Sequence, residues 1–287
     1  MKALILGGGG QLASDLELLL DSGARSFPHA ELDICDEEAV DGAYEQVSPD
    51  VVFNCAAFHN VDACESEPEL AWRVNVEAVR RLAHRGVPLV HLSTNYVFDG
   101  RQSEAYSEDD LPGPRSIYAL TKLAGEHAAL AYGTRPLVVR TAGLYGLRGS
   151  ATKGGNFVQR MVARGKHGTP IRMVSDQRLQ PTFTADLAAA ILAAVEAEAS
   201  GVVHLTASGA CSWFEFTEAI LDLAGVRSRL EPTLTTVPPG GADRPLNGVL
   251  ARRRSDQLGL PVLRHWRDSL SRYMSQAGLV ATAAKGA

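Results

Sequence analysis

Two residues whose side chains could take part in proton transfer, Tyr118 and Lys122, stand four positions apart in the segment Tyr-Ala-Leu-Thr-Lys. This spacing places both side chains on one face of a helix. A free tyrosine loses its proton near pH 10, but a neighbouring ammonium group favours the phenolate. The pair could therefore exchange a proton with a substrate oxygen near neutral pH. The same spacing is also common on solvated helix surfaces.

A polar segment closes one of the apolar runs of the chain. Ser93, Thr94 and Asn95 stand at the end of this run, and ligands of open α/β sheets gather at the carboxyl ends of strands. A hydroxyl group there can join Tyr118 in binding a carbonyl oxygen. Together these residues predict an oxidoreductase that reduces a ketone, with Tyr118 and Lys122 at the reacting centre.

Four consecutive glycines near the N-terminus are typical of a nucleotide-binding turn. They follow the first apolar run and open a helical segment, so that Gly7, Gly10 and Ala13 have the spacing of a dinucleotide fingerprint. Glycine lets the backbone approach a diphosphate placed on the helix N-terminus. The alternative is a flexible tight turn, but the position directly after a strand favours a nicotinamide cofactor.

The residues at the end of the second strand, between Phe27 and Ala30, should distinguish the two nicotinamide cofactors. An acidic residue there would hold the ribose hydroxyl groups of NADH, and a basic one would accept the 2′-phosphate of NADPH. Neither is clearly present, and His29 is the nearest polar side chain. The sequence predicts NADH or NADPH without choosing between them, and we expect Asp33 and Ile34 beside the adenine.

Apolar runs alternate with helical segments and supply the elements that must position these residues. Runs without internal alternation are typical of strands buried on both faces of a parallel sheet. The predicted strands are Lys2–Gly7, Val51–Cys55, Pro88–Ser93 and Leu137–Arg140, and the predicted helices are Gln11–Asp21, Glu69–Ala83, Arg115–Tyr132, Asn156–Arg164, Phe183–Ala197 and Trp213–Ala224. We expect Gly23, Gly86 and Gly133 to form left-handed helix caps, and Ser66 with Glu69 to form a capping box.

This pattern predicts an α/β fold, namely a Rossmann-type doubly wound parallel sheet with a smaller C-terminal substrate-binding lobe. Residues 1–145 would form the NAD(P)-binding domain, and later elements near 182–206 would return to it. Residues 146–287 would mainly form the substrate-binding lobe, because a chain of this size approaches the limit at which one core divides.

The composition argues against several classes of function. The formal net charge is -5 and the basic residues are scattered, which gives no electrostatic footprint for nucleic acid or an anionic membrane. No apolar run has the length of a membrane span, and the N-terminal run is too short for a signal peptide. The four cysteines show no paired spacing, so neither a zinc site nor a disulfide framework is expected. We expect a cytoplasmic enzyme that acts on a small molecule.

A set of motifs, in order along almost the whole chain, resembles the dTDP-4-dehydrorhamnose reductase family of extended short-chain dehydrogenases/reductases. The strand-end signature is Ser93–Phe98, and the tyrosine-lysine pair is Tyr118 and Lys122. Other matching segments are Asn54–Ala57, Val61-Asp62, Glu65–Pro68, Val74–Val76, Gly155–Phe157, Asp176-Gln177 with Pro181-Thr182, and Arg244–Asn247. The resemblance implies NAD(P)H-dependent reduction of the C4 ketone of a dTDP-4-keto-6-deoxy-hexose, above all dTDP-4-dehydrorhamnose to dTDP-L-rhamnose.

The resemblance also implies roles for single residues. Tyr118 would donate the proton, Lys122 would hold the nicotinamide ribose and lower the tyrosine pKa, and Thr94 would tune that pKa. With the glycine turn, the implied cofactor-binding residues are Gly7, Gly10, Gln11, Leu12, Asp33, Ile34, Ala56, Ala57, Phe58, Tyr118 and Lys122. The implied substrate-binding residues are Thr94, Asn95, Tyr118, Gly143 and Asn156.

Two positions depart from the family pattern. Asn95 replaces an aspartate of the strand-end signature, and Gly143 stands where related reductases have a tryptophan against the sugar. Two alternatives therefore stay open: a reductase for a different nucleotide sugar, and a non-catalytic dinucleotide-binding regulatory subunit resembling the methionine adenosyltransferase β subunit. The presence of Thr94, Tyr118 and Lys122 favours catalysis.

Further expectations concern metals and partners. The eight histidines show no ligand spacing, so no metal-binding residue is predicted, although the resemblance allows Mg²⁺ held between subunits by acidic side chains. It also allows a homodimer, with a nucleotide sugar as the small-molecule partner. We expect His59 and His91 to be structural. Arg252, Arg253 and Arg254 either meet a nucleotide diphosphate or form a solvated helix turn.

Overall fold

Strands and helices alternate through the first half of the chain, as the apolar runs predicted. The computed structural model describes residues 1–148 and 155–281. Its strands are β1 (Ala3–Gly8), β2 (Ala24–Pro28), β3 (Val51–Asn54), β4 (Leu89–Thr94), β5 (Leu137–Thr141), β6 (Leu144–Tyr145), β7 (Ile171–Val174), β8 (Arg178–Leu179), β9 (Thr182–Phe183), β10 (Gly201–His204), β11 (Cys211–Ser212) and β12 (Leu230–Thr233). Its α-helices are α1 (Gln11–Leu20), α2 (Glu37–Val47), α3 (Val61–Ser66), α4 (Pro68–Trp72), α5 (Ala78–Ala83), α6 (Ile117–Tyr132), α7 (Phe157–Lys166), α8 (Thr184–Glu196), α9 (Trp213–Leu223), α10 (Arg253–Gln257) and α11 (Trp266–Gln276). A π-helical turn, Arg73–Glu77, joins α4 to α5.

Six strands form one parallel sheet in the order β10-β5-β4-β3-β1-β2. The order reverses between β1 and β3, because the chain first adds β2 on one side and then returns to build the other side. Such a reversal leaves a crevice at the carboxyl ends of the strands, where ligands bind. Late residues return to the sheet, since β10 pairs with β5 from Gly201 opposite Leu137 to His204 opposite Arg140. The predicted doubly wound parallel sheet is confirmed.

Apolar side chains cover both faces of this sheet. Along β1, Ala3 and Ile5 join a buried cluster with α1 and α8, whereas Leu4 and Leu6 join another with α2 and α5. Successive side chains of a strand point to opposite faces, which explains why the run is apolar throughout. Each large apolar side chain buried in this way contributes about 1.5–3 kcal/mol. The strand ends that carry the candidate site therefore rest on a well-packed base.

A second core lies outside the sheet. It includes Tyr145, Phe183, Phe216 and Tyr273, whose neighbouring rings lie with centroids 5.2 to 5.8 Å apart. Three short strand pairs, β6-β9, β7-β12 and β8-β11, belong to the same part of the chain. The smaller C-terminal lobe thus has apolar packing of its own, while the boundary at residue 145 stays a prediction.

A late segment, Ala242–Ala251, runs along the loop that follows β4, and we call it the strap. The backbone N–H of Asn247 donates to the carbonyl oxygen of Gly100 at 3.1 Å. The Asn247 side-chain nitrogen also donates to the carbonyl oxygens of Gln102 and Glu104, both at 2.9 Å. One asparagine therefore holds the strap against several backbone groups that would otherwise lack partners.

The expectation of left-handed glycine caps is wrong for two of the three glycines. Helix α1 is followed by Asp21 at φ 46°, and Gly23 does not take a positive φ. Gly133 is extended, with φ -80°, whereas Gly86 has φ 74°. A Cβ at Gly133 would lie 2.5 Å from the carbonyl oxygen of Ala129. Glycine is needed at residue 133 for space rather than for backbone freedom.

The expected capping box at Ser66 is also wrong. Ser66 lies in the last turn of α3, and its hydroxyl donates to the carbonyl oxygen of Ala63 at 3.0 Å. The residue that caps α3 is Asn60, whose side-chain oxygen accepts from the backbone of Ala63 at 3.3 Å. Pro68 starts α4 without a side-chain cap, because the residues before it, up to Ser66, already form a separate helix, α3.

A buried ion pair joins α6 to β5 beneath the site. Arg140 donates to both carboxylate oxygens of Glu126, at 3.0 and 2.7 Å, and the side chains are 4% and 1% exposed. Ser93 donates to the same carboxylate, and the Arg140 guanidinium lies 5.0 Å from the Phe98 ring centroid. Such a pair adds little net stability compared with apolar packing, but removing one partner leaves a buried charge uncompensated.

Glu126→Gln is expected to lower the free energy of unfolding by about 3 kcal/mol or more, because Arg140 would stay charged in a dry environment. Urea denaturation followed by circular dichroism measures this loss. The matched control is Asp109→Asn, which breaks the exposed pair between Asp109 and Arg253 and should change stability little. Equal losses for the two variants would contradict the assignment.

Candidate active site

The glycine turn after β1 touches the loop after β3. Gly7 has φ 83°, and a Cβ there would lie 2.7 Å from the backbone nitrogen of Ala56. Glycine is therefore required on two grounds, conformation and space. Gly10 precedes α1 and supplies no side-chain cap, so the N–H groups of the first helical turn point outward without intrahelical partners. This helix end is suited to an anionic group such as a diphosphate.

Side chains that follow the turn are directed into the protein. The side-chain oxygen of Gln11 accepts from the backbone N–H of Gly146 at 2.7 Å. Leu12 is buried in the core on one face of the sheet. Gln11 and Leu12 are the first residues of α1, so their backbone N–H groups lack intrahelical partners, and their contact with a cofactor stays a prediction.

The loop Ala56–Phe58 forms one wall of the crevice and is held by a residue that the sequence analysis assigned no role. The Asn75 side chain accepts from the backbone N–H of Phe58 at 2.9 Å and donates to its carbonyl oxygen at 3.1 Å. It also donates to the Thr121 hydroxyl at 3.1 Å. Asn75 lies in the π-helical turn, a feature often found at functional sites. Apolar periodicity gives no signal for such a turn, so only the position of Asn75 in a matched motif pointed to it.

Residues expected beside the adenine lie after β2. The Asp33 carboxylate accepts from the backbone N–H of Cys35 at 2.9 Å, and Arg81 donates to the Cys35 carbonyl oxygen at 3.1 Å. Ile34 is buried in the core of the other sheet face. His29 is exposed. A cofactor placed here would meet the backbone and the Asp33 side chain rather than Ile34.

Tyr118 lies in the first turn of α6, at the mouth of the crevice. Ser116 caps this helix by accepting from the backbone N–H of Ala119 at 3.2 Å. Burial raises the pKa of Tyr118, while a hydrogen bond with the Thr94 hydroxyl acts in the opposite direction. The ring of Tyr96 meets that of Tyr118 edge to face, with centroids 5.9 Å apart. The structure therefore brings Thr94 and Tyr118 together, as a shared carbonyl-binding site requires.

Lys122 points towards the sheet instead of towards the phenol. Its amine donates to the carbonyl oxygen of Leu92 at 2.6 Å and lies 3.2 Å from Nε2 of His91. Burial lowers the pKa of Lys122 to about 8, and the charge of Glu126 acts against this shift. In this arrangement Lys122 is not among the groups that shift the pKa of Tyr118. Its predicted contact with the phenol and a ribose would require the amine to turn away from the sheet.

Three residues expected at the substrate have different surroundings. Asn95 is buried and donates to the carbonyl oxygen of Gly248 in the strap at 3.1 Å. The Asn156 side chain caps α7 and donates to the Gly146 carbonyl oxygen at 2.6 Å. Gly143 has φ 56°, and a Cβ there would lie 2.8 Å from Cδ1 of Leu179. Their predicted contacts with substrate stay predictions, and the amides of Asn95 and Asn156 already have protein partners.

Arg244 lies beside the site, and in the sequence only its position in the matched segment Arg244–Asn247 pointed to it. Arg244 in the strap donates to the Asp62 carboxylate at 2.7 Å. It is also hydrogen-bonded to the Tyr96 hydroxyl, a contact that acts to lower the pKa of Tyr96, although burial raises that pKa overall. Since the ring of Tyr96 packs against that of Tyr118, the Arg244 guanidinium lies one ring away from the Tyr118 phenol.

Other sequence predictions concern metals, the arginine run and membranes. Within residues 1–148 and 155–281, no group of three or more His, Cys, Asp or Glu side chains could hold a metal ion. Arg252, Arg253 and Arg254 have local partners, including the Asp256 carboxylate and the Ser200 carbonyl oxygen, which favours the helix-turn alternative. In the described part of the chain, no helix combines the length and hydropathy that a membrane crossing requires.

Comparisons with known proteins agree with this geometry. Residues 1–278 match the family model described as RmlD substrate binding domain. The chain is 39% identical over 282 residues to dTDP-4-dehydrorhamnose reductase of Streptomyces griseus, covering 93% of this chain and 91% of that protein. It is 35% identical over 280 residues to dTDP-4-keto-6-deoxy-D-glucose reductase of Streptomyces niveus, covering 93% and 94%. A solved structure of dTDP-4-dehydrorhamnose reductase from Bacillus anthracis in complex with NADP has a TM-score of 0.89 and 31% identity, covering 96% of this chain and 100% of that one.

The lowered pKa of Lys122 makes a prediction about stability. The pKa of Lys122 is about 8 in the folded protein and 10.5 in the unfolded chain. Between these two pH values the unfolded chain binds more protons at this residue than the folded protein does, so the free energy of unfolding rises with pH. Lys122→Met removes this contribution. The stability of the wild type relative to Lys122→Met is therefore expected to increase from pH 8 to pH 10.5 in urea denaturation. A constant difference over this range would contradict the assignment, and Lys166→Met provides a control on an exposed lysine.

Proposed function

This chain belongs to the dTDP-4-dehydrorhamnose reductase family, and from that premise we propose that it reduces the C4 ketone of a dTDP-4-keto-6-deoxy-hexose with NADH or NADPH. The observation that carries the proposal is the pairing of Tyr118 with Thr94 at the carboxyl end of β4. This pair faces the same sheet edge as the glycine turn after β1. Named relatives of the chain reduce keto-sugars of this kind.

The residues present fit a nicotinamide dinucleotide. Gly7 leaves room for close backbone approach, and α1 starts without a side-chain cap, as a diphosphate requires. Ala56 and Phe58 offer small and apolar surface for the nicotinamide ribose. When bound, the reduced cofactor supplies the hydride for C4 of the sugar. The NADP complex of a relative supports the cofactor class, and the absence of an acid or base at the end of β2 leaves both forms in the proposal.

The reaction asks two things of the protein's own groups. The Tyr118 hydroxyl donates its proton to the substrate oxygen as the ketone becomes an alcohol, and the Thr94 hydroxyl shares that oxygen and the phenol. Burial raises the pKa of Tyr118, which keeps the proton on the phenol until the substrate oxygen becomes basic. Lys122 would then supply the positive charge that stabilises the phenolate left behind.

The sugar is the finer part of the proposal. dTDP-4-dehydrorhamnose is the first candidate because the 39% identical relative carries that name. A different nucleotide sugar is the second candidate, favoured by Gly143 and by the reductase of another 4-keto-sugar among the relatives. We propose that the sugar is recognised between Gly143 and Thr182, a stretch that lies mainly in the lobe of residues 146–287. Residues 149–154 of this stretch lie outside the described structure. Phe183 and Tyr145 support this stretch from the second core.

Tyr118→Phe is expected to lower kcat by about 10²–10⁴-fold or more and to leave NADPH binding nearly intact, because it deletes the proton donor but keeps the ring. Oxidation of NADPH with enzymatically generated dTDP-4-keto-6-deoxy-L-mannose measures kcat. The control is Tyr132→Phe, the same change at an exposed position of the same helix. Near-normal turnover of Tyr118→Phe on a verified keto-sugar would refute the catalytic role.

Gly10→Val is expected to abolish cofactor binding, because branched carbons would crowd the helix end that faces the diphosphate. Isothermal titration calorimetry with NADH and NADPH gives the affinity. Gly42→Val is the control, since a Cβ at Gly42 meets no atom within 4 Å. If Gly10→Val binds the cofactors as tightly as the wild type does, the turn after β1 is not the diphosphate site.

A further inference from the structure

His91 is a fully buried histidine on β4, and its side chain lies between Asn54 at the end of β3 and Lys122 on α6. Its Nδ1 lies 3.2 Å from the side-chain nitrogen of Asn54, and its Nε2 lies 3.2 Å from the Lys122 amine. Both ring nitrogens therefore face polar groups, and one of these groups belongs to the proposed reacting centre. Burial lowers the pKa of His91 well below its ordinary value, so the ring is neutral and carries a single N–H.

The hydrogen bond between Ala56 and Asn54 determines which ring nitrogen of His91 carries that hydrogen. The backbone N–H of Ala56 can only donate, and it donates to the side-chain oxygen of Asn54 at 3.2 Å. The Asn54 amide is thereby oriented with its nitrogen towards His91. An amide nitrogen can only donate, so Nδ1 of His91 must accept and the ring hydrogen must be on Nε2.

This direction has a consequence for Lys122. A hydrogen on Nε2 of His91 points at the lysine nitrogen, and an ammonium group has no lone pair to accept it. Only the uncharged amine completes the chain, with one of its own hydrogens donated to the Leu92 carbonyl oxygen at 2.6 Å. If the Asn54 amide were flipped, its nitrogen would face the backbone N–H of Ala56, and two donors would meet there. If the ring hydrogen of His91 were on Nδ1, it would face the side-chain nitrogen of Asn54, which is also a donor.

The other titratable groups around Lys122 do little to offset this. The Glu126 carboxylate favours the charged form of Lys122, but it is already bonded to Arg140 and Ser93. Burial raises the pKa of the Cys55 thiol to about 12, so it is uncharged at neutral pH. Burial also lowers the pKa of Lys122 to about 8, in the same direction as the hydrogen-bond chain.

We propose that Asn54 and His91 are positioning residues that hold Lys122 against the sheet and favour its uncharged amine until the cofactor binds. The proposal rests on the role of Lys122 in the proposed function. When the amine turns from His91 to the ribose, it takes one proton from the solvent and becomes the cation that stabilises the Tyr118 phenolate. This series of hydrogen bonds starts at Ala56, in the loop Ala56–Phe58 that lines the proposed cofactor crevice. The same loop would therefore contact the cofactor and set the charge of Lys122 before the cofactor binds.

The direct test is the titration of Lys122 by NMR. The chain has five lysines, namely Lys2, Lys122, Lys153, Lys166 and Lys285, so ¹³Cε-labelled lysine gives few signals, and the one lost in Lys122→Met identifies Lys122. His91→Leu removes the N–H that faces the amine and should raise the proton affinity of Lys122 about tenfold, the effect of one hydrogen bond of about 1.4 kcal/mol. A purely structural role predicts the opposite sign, because a less polar neighbour disfavours the ammonium group.

A second variant and a control keep the test decisive. His91→Asn replaces Nδ1 but is too short to reach Lys122, so it should give the same rise if His91→Leu does not fold. His204→Leu removes another buried histidine, on β10, and should leave the Lys122 titration unchanged. Saturating NADPH should raise the proton affinity of Lys122 in the wild type.

Outcomes for this proposal and for the proposed function can be told apart. An unchanged or lower proton affinity of Lys122 in the folded His91 variants would overturn the positioning role, even in a fully active reductase. A wild-type chain without turnover on any keto-sugar would overturn the proposed function, while a raised affinity in the variants would still support the hydrogen-bond chain.

Discussion

The contact between Gly7 and the backbone of Ala56 is the constraint on which the site depends. It joins the turn after β1 to the loop after β3 at the point where the strand order reverses, with no space for a Cβ between them. This contact brings the uncapped end of α1 against the wall that Asn75 holds in place. The crevice in which we propose that the cofactor binds is thus bounded by backbone atoms at this point.

Charge is distributed in a related way. The strong ionic contact beneath the site, Glu126 with Arg140, is closed upon itself and buried. Lys122 is one helical turn from Glu126 but bonds to neutral groups, Leu92 and His91. A carboxylate free to pair with this lysine would hold the charge permanently. Because Arg140 occupies Glu126, the charge of Lys122 can respond to what enters the crevice.

Much of the fold could be predicted from the sequence because its signals are local. Unbroken apolar runs fixed the strands of the parallel sheet, and the glycine spacing placed the turn after β1. The predicted helix caps at Gly23, Gly133 and Ser66 were wrong because the cap of a helix depends on the direction that the backbone takes after it, and residue spacing within the helix does not determine that direction. The direction of side chains such as Lys122, Asn95 and Asn156 depends on partners from distant segments, including Leu92, Gly248 and Gly146. Spacing along one helix can bring Tyr118 and Lys122 to one face but cannot decide which neighbour each side chain selects.

The strap, Ala242–Ala251, is synthesised long after the loop that it supports. Asn247 contacts the loop after β4 from 145 positions further along the chain, and the carbonyl oxygen of Gly248 accepts a hydrogen bond from Asn95, the first residue after β4. Domains generally begin to fold from the N-terminus as the chain leaves the ribosome. A nascent chain that ends after β5 lacks the strap that supports the loop after β4, and it also lacks α8 and β10, which complete the core on one face of the sheet. The loop after β4 therefore reaches its final position only when most of the chain has been synthesised, and a ligand that binds only the folded protein would stabilise the finished molecule by mass action.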